Sequence, residues 1–268
     1  MDRHARHPHV SFRGGVAREG TRALPAEVAV ALSYNGSTHA VMMATPADLL
    51  DFARGFTLAE GIARLDEIER IDVVETPLGV DLQIWLTQGA AVRQAQRRRS
   101  LAGPVGCGLC GLESLEEAVR AAPHVTGDVC LTRAQVMAAV AELPRHQPLH
   151  DATRAAHCAA LWQPGRGIVL AREDVGRHNA VDKLVGAMGG TAGDAALVLT
   201  SRVSIDLVQK ACTAGFAVLI AVSAPTAAAV QMADAAGLTL IAGARPDGFD
   251  CFTHPHRVKD LIKVANVA

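Results

Sequence analysis

Two cysteines, Cys107 and Cys110, stand two residues apart in the run GPVGCGLCGLESLEE, Gly103–Glu117. The glycines around them let the backbone turn tightly and leave both thiols exposed rather than packed. The following LESLEEAVRAA reads as a helix over Glu113–Ala122, which sets Cys110 near its N-terminus. Free N–H groups and the helix dipole favour thiolate there, with Glu113, Glu116 and Glu117 opposing the effect. Such a pair is suited to half a zinc site, a redox dithiol, a sulfur-carrying thiol or an idle turn. A zinc site needs two further ligands, yet Cys130, Cys158, Cys212 and Cys251 are all singletons. The His-x-Glu of zinc deaminases does not occur ahead of the pair. A thioredoxin-type dithiol belongs near the start of a compact βαβ unit, whereas this pair follows a long β-rich stretch.

A second group lies in AREDVGRHNAVDKLVG, Ala171–Gly186. Arg172, Glu173, Asp174, Arg177, His178, Asp182 and Lys183 fall at the end of the apolar strand GIVLARED, and open α/β sheets bind ligands beyond such strand ends. A solvated loop with Asp174 or Asn179 capping a helix fits the same residues. A third stretch, GARPDG, spans Gly243, Ala244, Arg245, Pro246, Asp247 and Gly248 and by itself reads as a surface turn. Arg97, Arg98 and Arg99 form a charge run, either a solvated face or a contact for an acidic partner. Cys158, Cys212 and Met232 occupy helical apolar positions and are expected in the core; His256 is expected at the surface.

The elements that position these groups follow from periodicity. Residues 1–25 read as a flexible leader. EVAVALSYNGSTHAVMMATP is a strand pair joined at Asn35-Gly36, the strongest short hairpin signal. Thr45-Pro46 predicts the cap and first residue of a helix to about Ala63. IERIDVVETPLGVDLQIWLT predicts another strand pair turning at Pro77–Gly79, completing a β-rich lobe over 26–100. The CxxC glycine loop occupies 101–112, and the rest, 113–268, alternates helices with short apolar strands. Helices are predicted at Thr132–Leu143, RHNAVDKLVGAM, SIDLVQKACTAG and PTAAAVQMADAAG, and strands at GIVLARED, AALVLTSR, FAVLIAVSA and LTLIAGA. That alternation predicts a mainly parallel sheet covered on both faces, so the class is α/β (α+β overall).

With 268 residues, 50% hydrophobic and 20% charged, the chain is long enough to bury a large core, and its net charge of -1 offers no footprint for bulk nucleic acid or a membrane surface. Six cysteines in so long a chain are not a disulfide scaffold. The first residues lack the apolar core of a secretory signal, and no uncharged apolar run reaches membrane-spanning length. A cytoplasmic protein with reduced thiols is expected.

REDVGRHNAVDKLVG resembles, almost letter for letter, the signature of the FdhD family, the formate dehydrogenase accessory sulfurtransferases. CGLCG is similar to that family's Cys-Gly-x-Cys-Gly. TSRVSIDLVQKACTAGFAVLIAVSAPTAAAV and GLTLIAGARPDGFDCFTH resemble its later blocks, so the likeness runs from about Glu27 to His254. The resemblance implies a sulfur carrier that takes sulfur from a cysteine desulfurase as a persulfide and passes it to the molybdenum cofactor, bis-molybdopterin guanine dinucleotide, before that cofactor enters formate dehydrogenase. It implies a cytidine-deaminase-like α/β/α second domain, no resident metal and Cys107 as carrier with Cys110 beside it. It also implies that Gly243–Gly248, with Arg245, grips the guanine nucleotide portion, supported by Arg172, Arg177 and His178. A homodimer is expected. The alternative is a non-catalytic chaperone of the guanylated cofactor. The chain departs from the family pattern at Thr153–His157, Thr200–Arg202 and Gly243.

Overall fold

The computed structural model describes residues 1–101, 120–259 and 261, so Cys107, Cys110 and nearly all of the helix expected at Glu113–Ala122 lie outside the described residues. The chain opens with β1 (His4–Arg13) and β2 (Val16–Pro25), an antiparallel hairpin in place of the expected leader. Gly14 and Gly15 both have positive φ, 57° and 79°, which a two-residue hairpin turn of this hand requires. The Gly-Gly pair was the signal for it.

A four-stranded sheet follows in the order β4-β3-β6-β5. Its strands are β3 (Val28–Tyr34), β4 (Ser37–Ala44), β5 (Ile68–Thr76) and β6 (Gly79–Leu86). Both predicted hairpins form, with Asn35 and Gly36 at φ 48° and 80°. Helix α1 (Leu49–Ala59) covers one face through Phe52 and Phe56, which pack with Val30, Leu32, Leu82 and Ile84. It starts at Leu49, not at Thr45-Pro46, because Thr45 is bonded to the second half of the chain. Helix α2 (Gln88–Leu101) takes the basic run Arg97–Arg99 into helical backbone.

The second half holds β7 (Leu131–Thr132), α3 (Arg133–Glu142), α4 (Pro148–Thr153), β8 (His157–Gln163), β9 (Gly167–Asp174) and α5 (Arg177–Met188). It continues with β10 (Ala196–Leu199), α6 (Ile205–Thr213), β11 (Val218–Ala221), α7 (Ala227–Ala235), β12 (Thr239–Arg245), β13 (Gly248–Cys251) and β14 (Val258–Lys259). Its main sheet has the order β13-β12-β11-β10-β8-β9, while β7 and β14 pair separately. β10, β11 and β12 are parallel, but β8 runs against both neighbours and β13 against β12. The sheet is therefore mixed rather than mainly parallel. Strand β8 was missed because HCAALWQ was read as helical, although Pro164-Gly165 directly after it marks a turn, and β13 because GFDC is only four residues long. Cys158 consequently lies in a strand rather than a helix, though it is buried as expected. Cys212 is buried, Met232 packs partly buried against the core, and His256 is exposed. Helix α5 packs on β8 and β9, α6 packs against α5 and α7, and α3 packs on β9 and β12. No helix among the described residues is long and apolar enough to cross a membrane.

The two halves meet where α1 crosses α5. A Cβ on Gly55 would lie 1.6 Å from the Asp182 carbonyl oxygen, and one on Gly186 would lie 1.9 Å from that of Asp51. The helix backbones approach so closely that only glycine fits at either position. Gly55→Ala or Gly186→Ala should therefore cost at least about 1–3 kcal/mol through forced separation of the helices. Gly190→Ala, where an added Cβ meets nothing within 4 Å, should be close to neutral. Urea midpoints of the three variants measure the difference.

Candidate functional site

β9, β10, β11 and β12 run in one direction, so their carboxyl ends share one edge of the sheet, joined there by the amino ends of β8 and β13. Asp174–His178 follow β9, Thr200–Arg202 follow β10, His157 begins β8, and Gly243–Gly248 join β12 to β13. Most of the expected site residues thus come together on one rim. At about 4.8 Å per strand, the rim from β9 to β13 is roughly 24 Å long.

At the β9 end the acidic residues are structural. Asp174 is wholly buried. Its Oδ2 accepts from Thr45 N at 3.0 Å and Lys183 Nζ at 2.6 Å, and its Oδ1 accepts from Gly176 N at 2.7 Å and Asn179 Nδ2 at 3.0 Å. Lys183, also wholly buried, donates to Thr45 O at 2.8 Å. Burial pulls its ammonium down from the ordinary lysine range, and Asp174 pushes it back up. Glu173 accepts from Leu149 N at 2.7 Å and His150 N at 2.8 Å, so it caps the start of α4. Asp182, which burial pushes up to about 6, accepts from Lys210 Nζ at 2.7 Å, and Lys210 also bonds Glu60 at 2.6 Å. These four, which the sequence pattern left open between a ligand site and a solvated, capped loop, are buried braces. The signal for that was present: carboxylates and a lysine at helical spacing between apolar residues, an arrangement that burial tolerates only when paired.

Arg172 also faces inward, toward α1, where Nε and Nη2 reach Asp51 Oδ2 at 2.9 and 2.7 Å. Its guanidinium is a strut between the halves. Arg177 is half-buried, and its Nε is enclosed with no hydrogen-bond partner. His178 Nε2 lies 2.6 Å from Asp206 Oδ2, a close ion-pair contact without hydrogen-bond alignment. His157 lies close enough to Arg177, His150 and His178 to feel their charge. Arg202 is exposed beyond β10. Asp206 and His150 were not singled out from sequence, because their partners come from other elements.

At the β12 end, GARPDG is a strand end, hairpin turn and strand start rather than a strand-to-helix turn. Pairing slips between Ala242 and Arg245, and Gly243, at φ 60°, donates its N–H to Ser223 O at 3.1 Å. A bulge of this kind re-aims the strand end, and its left-handed residue favours glycine. The Arg245 guanidinium folds back onto the carbonyls of Val222 and Ala244. Pro246 and Asp247 are exposed, Gly248 half-buried and Ala244 buried, so Ala244 offers no side chain to a ligand. Burial pushes the thiols of Cys158 and Cys212 up to about 12, which keeps both protonated and unreactive.

Two measurements test this division between brace and rim. Lys183→Met strands the Asp174 carboxylate and should cost about 3–5 kcal/mol, whereas half-exposed Arg177→Ala should cost within roughly 1 kcal/mol; denaturant titration separates them. Burial, with Arg177 adding to it at both rings, holds His157 and His178 below the usual imidazole range, and Asp206 only partly restores His178. A depressed folded-state value favours the neutral ring, so stability is intact above about pH 6.5. It is lost as pH falls through the folded values. The melting temperature should drop between neutral pH and pH ~5 more in the native chain than in a His157→Asn/His178→Asn variant.

The FdhD/NarQ family model matches residues 25–259. A protein named sulfur carrier protein FdhD, from Agrobacterium fabrum, is 49% identical over 253 residues, covering 92% of this chain and 93% of the relative. Another of that name, from Cupriavidus necator, is 45% identical over 243 residues, covering 89% of this chain and 84% of its own. The crystal structure of a formate dehydrogenase accessory protein from Desulfotalea psychrophila superposes with a TM-score of 0.75 at 25% identity, covering 96% of this chain and 100% of that one. A match spanning both halves, the cysteine pair and the strand-end rim shows that this chain belongs to the FdhD/NarQ family.

Proposed function

We propose that this chain is a sulfur carrier in which Cys107 accepts sulfur as a persulfide from a cysteine desulfurase. It then delivers that sulfur to the molybdenum cofactor, bis-molybdopterin guanine dinucleotide, before the cofactor enters formate dehydrogenase. The observation that carries the reading is family membership over a span that includes the CxxC pair, among relatives named as sulfur carriers along nearly their full length. The buried state of Cys158 and Cys212 supports it, since neither thiol is placed to exchange sulfur.

The chemistry asks for an accessible thiolate. It attacks the outer sulfur of the donor persulfide; a new S–S bond forms, the donor's S–S bond breaks, and the donor leaves as a thiolate. The outer sulfur then sits on Cys107 for the acceptor, and Cys110 is the neighbouring thiol able to share or resolve it. The acceptor is a large anion with pyrophosphates and guanine rings, and the strand-end rim suits its class. Arg177 brings an unpartnered Nε, Arg202 is exposed, and the Gly243 bulge allows close backbone approach. Arg245 and the exposed Asp247 are offered to the nucleotide end of this substrate, with His178 nearer the Arg177 end.

The test is transfer of sulfur from cysteine by a desulfurase, read by intact-protein and peptide mass spectrometry. Sulfur on the Cys107–Cys110 peptide that is released by reductant, and absent in Cys107→Ala, is the expected outcome. Formate dehydrogenase activity should fall by at least about 100-fold in cells carrying only that variant, as for loss of a nucleophile. A Cys107→Ala/Cys110→Ala chain that still supports full activity would instead make the protein a cofactor-holding chaperone.

A further inference from the structure

We propose that Gln209 and Glu60 are positioning residues for sulfur delivery: together they hold Arg120 as the fixed root from which the cysteine-bearing chain reaches the strand-end rim. The inference rests on the sulfur-carrier reading above and goes beyond it. Arg120 stands ten residues after Cys110. Its carbonyl accepts from Gln209 Nε2 at 2.8 Å, and its Nη2 lies 3.7 Å from Glu60 Oε2. Main chain and side chain are thus both gripped, one from α6 and the other from the end of α1.

The grips are themselves fixed. Gln209 is buried, so its amide has little water to turn to. Glu60 commits its other oxygen, Oε1, to Lys210 Nζ at 2.6 Å, and that buried ammonium also donates to Asp182 at 2.7 Å. The ammonium stands over the Phe56 ring, 5.4 Å from its centroid. An ion pair between mobile exposed groups holds little, but here the carboxylate is oriented from its buried side before Arg120 meets it. Residue 120 is therefore referred to both halves of the chain at once.

Support of the fold does not account for this arrangement. From Arg120 to Cys130 the backbone forms no helix or strand, and it is fastened again further on. Val125 N donates to Ala236 O at 2.9 Å, Arg257 Nε donates to Gly127 O at 3.1 Å, and Val125 and Val129 are buried in the core. The pin at Arg120 lies ahead of these, on the side of the cysteines. What it sets is the place from which the chain departs. Gln209 is three residues beyond Asp206, about 5 Å along α6, and Asp206 meets His178 at the rim. Ala236 follows α7 just ahead of β12, at the opposite edge of the sheet. Helix α7 has nine residues, so about 14 Å separates that edge from the rim end. Without the pin the root retreats to the far edge, and the tether lengthens by the five residues from Arg120 to Val125. Ten residues reach at most about 35 Å, so a retreat of that size governs how often a thiol meets an acceptor on the rim.

The test separates loading from delivery. Loading is transfer of sulfur from cysteine, by a desulfurase, to the Cys107–Cys110 peptide. Delivery is recovery of formate dehydrogenase activity when preloaded protein is mixed with bis-molybdopterin guanine dinucleotide and cofactor-free enzyme. In Arg120→Ala/Gln209→Leu, loading should stay within about 2-fold of the native rate, because the donor arrives from solution. Delivery at saturating cofactor should fall at least about 10-fold, as for lost positioning, with the half-saturating cofactor concentration unchanged. Arg120→Ala alone should show part of that loss, and Arg120→Lys, which keeps a cation for Glu60, almost none. Native delivery by the double variant overturns the proposal. So does a loss that falls equally on loading, delivery and melting temperature, which marks a purely structural role. A native chain that takes no sulfur on the peptide sinks the sulfur-carrier reading, and this proposal with it; a chain that loads and delivers alike in native and variant forms sinks this proposal alone.

Discussion

Asp174 has a buried carboxylate with four donors around it: two backbone N–H groups, an amide side chain and a lysine. Two of the residues involved, Thr45 and Lys183, come from opposite halves of the chain, and Lys183 closes the loop by bonding the Thr45 carbonyl. A charge out of water persists only when its lone pairs are satisfied. The end of β4, the end of β9 and the start of α5 therefore have one mutual placement. The glycine crossing of α1 and α5 depends on that placement, and so does the orientation of the rim.

From this anchor a chain of paired charges runs along the helices. Asp182 holds Lys210, Lys210 holds Glu60, and the Arg120 guanidinium lies 3.7 Å from Glu60. Gln209 donates to the Arg120 carbonyl at 2.8 Å. Arg120 is where the described chain resumes after the cysteine-bearing stretch. One turn earlier on α6, Asp206 meets His178 at the rim. The return point of the cysteine segment and the strand-end rim are thus fastened to the same two helices. Both are thereby referred to one rigid frame.

Legibility in the sequence followed how local each cause was. Asn35-Gly36 and Pro77–Gly79 marked their hairpins because turn conformation is set by the residues in the turn. Helix α5 was read as RHNAVDKLVGAM, the residues the structure gives it, since Gly176 precedes and Gly189 follows it. The hairpin at Gly14-Gly15 carried the same kind of signal, but its strands are polar and exposed, so hydrophobic alternation was silent. Thr45 failed as a helix start because its hydrogen bonds go to residues about 130 positions away. Strand β13, four residues long, was hidden for a related reason, since its neighbour in the sheet defines it, whereas the turn after β8 was marked locally by Pro164-Gly165.

The sequence by itself determined the chemistry on offer: a thiol pair among glycines, a dense charged motif at a strand end and a glycine-rich strand terminus, all in an order that resembles one family. Only the tertiary structure decided how that chemistry is divided. Arg172, Glu173, Asp174, Asp182 and Lys183 look alike in the motif to Arg177 and His178, yet the first five turn inward as braces and the last two remain at the rim. The physical reason is burial. Whether a charged side chain holds the protein or a ligand depends on which partners surround it, and those partners come from elements that local sequence cannot bring together.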